Sequence, residues 1–288
     1  MGRVTKLLTA VVMLTIPTGI AYGLPVVVPD FAVDPSGLQF TIEPVPAGDP
    51  GSINLGGDPT LQYGVTSDPD GTLNTMKMSW EQNVPDAEAQ AGWQLVFGED
   101  PDIRNQQIIL SINPPGGWTN ALGLVIPSPG NPLQGDLFQG ISSLQVRAID
   151  NLGVLAGGWG FNTDMDLLLP PGNDPLAAGG VSLQCNFMQT VTINVGNGPA
   201  PASAIVAGGP GGPFIAPNFL IGGNGNFANI GTLQFFENGI LQGGVNVIPG
   251  QPLPGLANYW DHITVTPEPT TFSLLALGGL ALLRRRRW

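Results

Sequence analysis

Leu144-Gln145-Val146-Arg147-Ala148-Ile149, followed at once by Asp150-Asn151-Leu152-Gly153, decides the fold class. Apolar and polar side chains alternate along the first six residues. Successive side chains of a strand point to opposite faces, so the pattern predicts a strand with one face in a core and one in water. The next four residues carry turn chemistry, because Asn and Gly tolerate positive φ. Thr190-Val191-Thr192-Ile193-Asn194-Val195 repeats the alternation.

Working outward, further windows alternate or run apolar over strand lengths. They are Leu38–Ile42, Gly92–Phe97, Gln106–Ile112, Leu122–Ile126, Val181–Phe187, Thr232–Phe236 and Tyr259–Thr266. Glu237-Asn238-Gly239 reads as a second turn. Between residues 24 and 266 no helix of ten or more residues is expected, although Ala87 to Ala91 has room for one helical turn. Gly196–Asn218 reads as a long loop, and Gly222–Asn226 as a flexible turn. The Pro- and Gly-rich residues 24–60 read as a mobile N-terminal section ahead of a domain spanning 61–266. Many short strands without helices predict an all-β fold, an antiparallel β-sandwich.

Composition agrees. Gly 42 and Pro 29 make up a quarter of the 288 residues, and only 10% are charged. The charge is segregated. From residue 24 to 266 the basic residues are Lys77, Arg104 and Arg147 against 20 acidic ones, a net charge of about −17. Such a body repels phosphate backbones, which excludes nucleic acid as a partner, and attracts divalent cations. The one cysteine, Cys185, forms no intramolecular disulfide and reads as a buried strand residue. With His262 the only histidine, a His-based triad or His-rich metal site is excluded. No Gly-x-Ser-x-Gly, HExxH or phosphate loop is present.

The two ends differ from the body. Arg3 and Lys6 precede an apolar run, Leu7 to Ile16, too short to span a bilayer. Ala21-Tyr22-Gly23 then offers small residues at Ala21 and Gly23, as signal peptidase requires. Residues 1–23 are therefore expected to be a removable signal peptide. At the other end, 267–288 comprise Pro267-Glu268-Pro269, an uncharged apolar stretch from Phe272 to Leu283, then Arg284, Arg285, Arg286, Arg287 and Trp288. As a helix the stretch from Thr270 would be about 21 Å long, short against a hydrocarbon core of roughly 30 Å. Arginine snorkelling can compensate, and the basic cluster would stay on the cytoplasmic side.

This tail resembles the PEP-CTERM sorting signal, with its Pro-Glu-Pro motif, short transmembrane helix and terminal basic cluster. The resemblance implies an exported cell-surface protein, recognised and processed by an exosortase in an exopolysaccharide-rich envelope. The body resembles jelly-roll carbohydrate-binding modules of the galactose-binding-like type. Three segments carry this: Asp102-Ile103 with Gln107–Asn113 and Pro114-Pro115; Gln189–Ile193; and Tyr259-Trp260-Asp261-His262-Ile263-Thr264-Val265. That resemblance implies a jelly-roll-like order and a non-catalytic surface or extracellular-matrix protein that binds polysaccharide. The alternative is a secreted polysaccharide lyase or glycoside hydrolase, although abundant carboxylates alone do not make one.

Sugars stack their C–H faces on aromatic rings. Trp80 and Trp93 lie in strand-like windows and read as core. Trp118 and Trp159 are flanked by glycines, which makes them the ligand-binding candidates; the same glycines would let either ring fold back into the sandwich. Asp68-Pro69-Asp70-Gly71 resembles half a calcium loop and reads first as a plain turn. The jelly-roll resemblance also implies a structural calcium, on Glu81 and Asp261.

Overall fold

The Asp150–Gly153 turn forms as its residues require. Gly153 has φ 77°, and the Asp150 carboxylate accepts from the Leu152 and Val154 N–H groups at 3.0 and 2.8 Å. In the computed structural model the structure describes residues 26–37, 39–46, 58–68, 70–80, 87–114, 116–119, 125–126, 137–163, 183–197, 204–209, 214–215, 219–242 and 256–267. The strands are, in chain order, β1 (Val26–Val28), β2 (Phe40–Pro44), β3 (Thr60–Val65), β4 (Thr75–Trp80), β5 (Ala87–Phe97) and β6 (Gln106–Asn113). They continue as β7 (Gly116–Thr119), β8 (Val125–Ile126), β9 (Leu137–Asp150), β10 (Leu155–Asn162) and β11 (Gln189–Asn194). The last are β12 (Ala204–Ala207), β13 (Phe214–Ile215), β14 (Phe219–Ile221), β15 (Ile230–Gln242) and β16 (Leu256–Pro267).

These strands form two antiparallel sheets. The first runs β13-β12-β11-β6-β16-β4-β3, with β1 added on β16; the second runs β14-β10-β9-β15-β5-β2, with β7 and β8 added beside β9. The alternation read from the sequence places Val191 and Ile193 inward in β11, and Leu144, Val146 and Ala148 inward in β9, all fully buried. An aromatic knot ties the two sheets together. Trp93 stacks on Phe235 at 4.3 Å between centroids, and both meet Trp260 edge-on at 5.1 and 5.7 Å. Such pairs add about 0.5–1.5 kcal/mol each beyond their area burial. Trp80 and Trp93 are core, as their windows implied, and Cys185 is buried but lies in a turn, not a strand.

Several expectations need correction. Ala87 to Ala91 is the start of β5, not a helical turn, because β15 offers it a ladder from Glu237 to Leu241. Glu237-Asn238-Gly239 is no turn but the middle of β15, where the ladder with β9 shifts register at Asn238/Gly239. Val181–Phe187 is not a strand in its described part; beyond an isolated bridge at Leu183 the chain turns, with Asn186 at φ 67°. Part of the expected loop 196–218 is strand, since β12 and β13 extend the first sheet. Gly157-Gly158-Trp159-Gly160 lies within β10. The described part of residues 24–60 contributes β1 and β2 to the sandwich, and Phe31 is fully buried. The signal peptide and the apolar tail lie outside the described residues, among which no helix is long and apolar enough to cross a membrane.

Candidate functional site

The outer face of the second sheet carries a polar row. Inward positions of β2, β5, β15 and β9 fill the core, so the alternate positions face away from it. Glu43 of β2 sits opposite Gln94 of β5, which sits opposite Gln234 of β15, which sits opposite Arg147 of β9. Gln94 Nε2 donates to Glu43 Oε1 at 2.9 Å, and Gln234 Nε2 donates to Gln94 Oε1 at 3.1 Å. Arg147 Nε and Nη2 donate to Gln145 Oε1 at 3.2 and 2.6 Å. Its guanidinium lies over the Phe236 ring, 4.5 Å from the centroid. Among the described residues no carboxylate pairs with it, and burial lowers its proton affinity.

Two glycines make this surface. A Cβ on Gly92 would lie 2.6 Å from the Phe236 ring, so the missing side chain lets that ring lie flat on β5. A Cβ on Gly158, opposite Arg147, would lie 2.5 Å from the Val146 carbonyl oxygen. The result is a row of amides and a stacked cation with a fully buried aromatic floor. Gln90 Nε2 extends the amide pattern by donating to Asn238 Oδ1 at 2.9 Å.

Of the candidates read from the sequence, Trp159 and Asp261 have described side chains. Trp159 is only 3% exposed and packs on Phe227 at 6.1 Å. It points inward and lines a small open cleft with Leu220, Gly222 and Gly223, instead of offering its face to solvent. Of its glycine neighbours, Gly158 lets β10 pack closely on β9, and Gly157 makes room for the Phe227 ring. Trp118 sits on β7 opposite Ile126 and Phe138, and its side chain lies outside the described residues. Glu81 also lies outside them.

Asp261 lies within electrostatic reach of Asp68 in the β3–β4 turn. It sits where the β16–β6 ladder shifts register between Trp260 and Ile263, and its Oδ2 is 3.5 Å from His262 Nδ1. Its charge and that of Asp70 both reach Asp68, whose carboxyl is raised first by burial and further by these neighbours. Among the described residues no three carboxylate, His or Cys side chains form a ready cluster for a metal ion. Inside the sandwich, Glu237 is wholly buried, and burial holds its carboxyl well above the usual range. A raised carboxyl is what glycoside hydrolysis asks of its acid, but a sealed one cannot reach a glycan.

The polar row escaped sequence reasoning, and so did the burial of Asp68, which the sequence placed in a plain turn. Arg147 and Gln145 were visible as the polar side of an alternating strand, but their partners come from strands far away in the chain.

The chain's end decides its destination. Residues 265–287 match the PEP-CTERM protein-sorting motif. This is a surface-sorting tail. The PEP-CTERM motif begins inside the fold, because Val265, Thr266 and Pro267 still pair with Ile108, Gln107 and Gln106 of β6. It marks an exported, surface-targeted protein. No curated protein is significantly similar to the chain.

Several solved structures show similarity, three of them as follows. A family 11 carbohydrate-binding module from Clostridium thermocellum, in complex with a β-1,3-1,4-mixed-linked tetrasaccharide, is 11% identical, covering 85% of this chain and 96% of its own, at a TM-score of 0.31. A lectin from Bauhinia forficata in complex with GalNAc is 10% identical, covering 84% and 97%, at 0.35. A GH131 β-glucanase catalytic domain from Podospora anserina is 9% identical, covering 73% and 81%, at 0.32.

Proposed function

We propose that this PEP-CTERM protein is a non-catalytic cell-surface or matrix sandwich that binds polysaccharide on the outer face of its second sheet. The row Glu43–Gln94–Gln234–Arg147 carries the reading. Four neighbouring strands at about 4.8 Å spacing extend it over about 14 Å, a strip on which a sugar chain lies across the strands. Its amides donate and accept, as hydroxyls do, its carboxylate accepts, and the guanidinium adds further N–H donors. The strand order, with the chain crossing repeatedly between two antiparallel sheets, supports a jelly-roll arrangement. The sealed Glu237 and the absence of a catalytic signature favour binding over lyase or hydrolase chemistry.

In this reading signal peptidase removes residues 1–23. The tail from 267 then anchors the chain as a short transmembrane helix until an exosortase processes it, which leaves the sandwich among the host's exopolysaccharide. The binding test is a glycan array, together with a pull-down on that exopolysaccharide. Wild-type protein should be retained. Arg147→Ala and Gln234→Ala should each weaken retention by about tenfold, the scale of one charged or two neutral hydrogen bonds. Retention unchanged in both variants would remove the site. No retention of folded wild-type protein on any glycan would leave a purely structural role.

A further inference from the structure

Lys77, Arg104 and Arg147 are the basic residues of a body whose net charge is about −17. Two of them are engaged. Arg104 grips Asp102, donating from Nε to Oδ1 at 2.9 Å, and Lys77 lies over the Tyr259 ring at 5.9 Å. Arg147 is different. It is half-buried on the outer face of the second sheet, and among the described residues it meets no carboxylate. Both of its hydrogen bonds go to one neutral acceptor, Gln145 Oε1, and its guanidinium lies 4.5 Å from the Phe236 centroid. Taking a cation out of water is costly, so such a group normally has a counter-charge.

The arrangement leaves room for one. Nε and one Nη2 hydrogen serve Gln145. The other edge, Nη1 with the second Nη2 hydrogen, presents two parallel N–H groups, the fork that a carboxylate fills. Opposite Arg147 and Gln145 on β10 stand Gly158 and Gly160, which have no side chain to take a ligand's place. A Cβ on Gly158 would lie 3.2 Å from Ile221 Cδ1, so an apolar side chain walls the space beside the cation. Such a wall lowers the local dielectric and strengthens a charge pair made there.

We propose, resting on the glycan reading above, that Arg147 anchors one carboxylate-bearing sugar, so that the ligand is an acidic polysaccharide whose charged sugars are separated by neutral ones. The separation follows from the other end of the row. Glu43 lies three strands away, about 14 Å at 4.8 Å per strand. The amides hand their hydrogen bonds toward it, Gln234 to Gln94 and Gln94 to Glu43. A sugar chain along the row therefore meets a cation at one end and a carboxylate at the other. A neutral sugar can donate a hydroxyl to Glu43, whereas a second carboxylate there is repelled. The negative body adds repulsion against any densely charged polymer.

The test is affinity electrophoresis of the folded protein in the presence of four polymers. They are gellan, whose uronic sugars are separated by neutral ones; carboxyl-reduced gellan; polygalacturonate, charged on every sugar; and dextran sulfate. Gellan should retain the wild type best. Carboxyl reduction and Arg147→Gln should each weaken that retention by about ten- to hundredfold, the scale of a hydrogen bond to a charged group. Glu43→Gln should raise retention on polygalacturonate. Should Arg147→Gln fail to fold, the native and carboxyl-reduced polymers still decide on the wild type alone. Equal retention on those two, or stronger retention on dextran sulfate than on gellan, would overturn the carboxylate assignment and leave the glycan site standing. Polygalacturonate binding above gellan would overturn the spacing. Retention on neutral glycans but not on gellan would overturn the acidic class, and no retention of folded protein on any polymer would overturn the glycan reading with it.

Discussion

Glu237 is the residue at which the core is least comfortable. It points inward from β15 between Ala91 of β5 and Leu144 of β9, with neither oxygen partnered. Burial favours the neutral acid, so the folded state holds this proton well above the ordinary value of 4.5. The unfolded chain releases it near that value. Below about pH 4.5 both states are protonated and the contribution to stability is complete; above it the unfolded state alone gains by ionising, and stability falls until folded Glu237 ionises too. Glu237→Gln should match wild type at pH 4 and exceed it by on the order of 1–3 kcal/mol at pH 8. Denaturant melts across that range would show it, and parallel curves for the two proteins would refute the neutral-acid reading. Nothing in the sequence marks Glu237 as interior, because Glu237-Asn238-Gly239 has the composition of a turn. The same limit hid the burial of Asp68, which is hydrogen-bonded by Asn113, 45 positions away.

At the level of elements, alternation was a good guide where a strand has one wet face. β6, β9, β11, β15 and β16 were all visible for that reason. It failed where glycine replaces the outward side chain, as at Gly158 and Gly160 of β10, because composition then reads as loop. It also failed for β1, three valines in a Pro-rich segment that sequence assigned to a mobile section. β1 takes up the edge of β16 beyond the point where β4 ends: β4 pairs with Leu256 to Trp260, and β1 pairs with Ile263 to Val265. Val26 and Val28 are buried and Val27 is 56% exposed. Val28→Asp should therefore cost about 3 kcal/mol, the scale of an unpaired buried charge, and lower the melting temperature by about 6–12 °C. Val27→Asp should change it little. Equal effects would mean that β1 does not dock with this register.

Across the whole molecule, the acidic body and the basic tail end belong to different stages of its life. The body is built for solution outside the cell, where its charge keeps it soluble. The tail serves for sorting. Mass spectrometry of the surface protein should therefore recover no peptide from Phe272 to Trp288, and deleting Arg284–Arg287 should leave the full tail in place. Recovery of intact tail from mature surface protein would end the processing model. The sequence showed this end plainly, since charge and hydropathy need no tertiary context. The proposed binding face was far less legible, because its hydrogen-bonded partners lie up to 148 positions apart in the chain.

The direct run of β16 into the sorting motif has a mechanical consequence. Pro267 is both the last paired position of the strand and the first residue of Pro-Glu-Pro. Antiparallel ladder bonds lie perpendicular to the strand, so a tug on the tether loads those with β6 and β1 together, in shear, and does not peel them one at a time. An envelope that swells or is sheared by flow would thus load β16 along its own length.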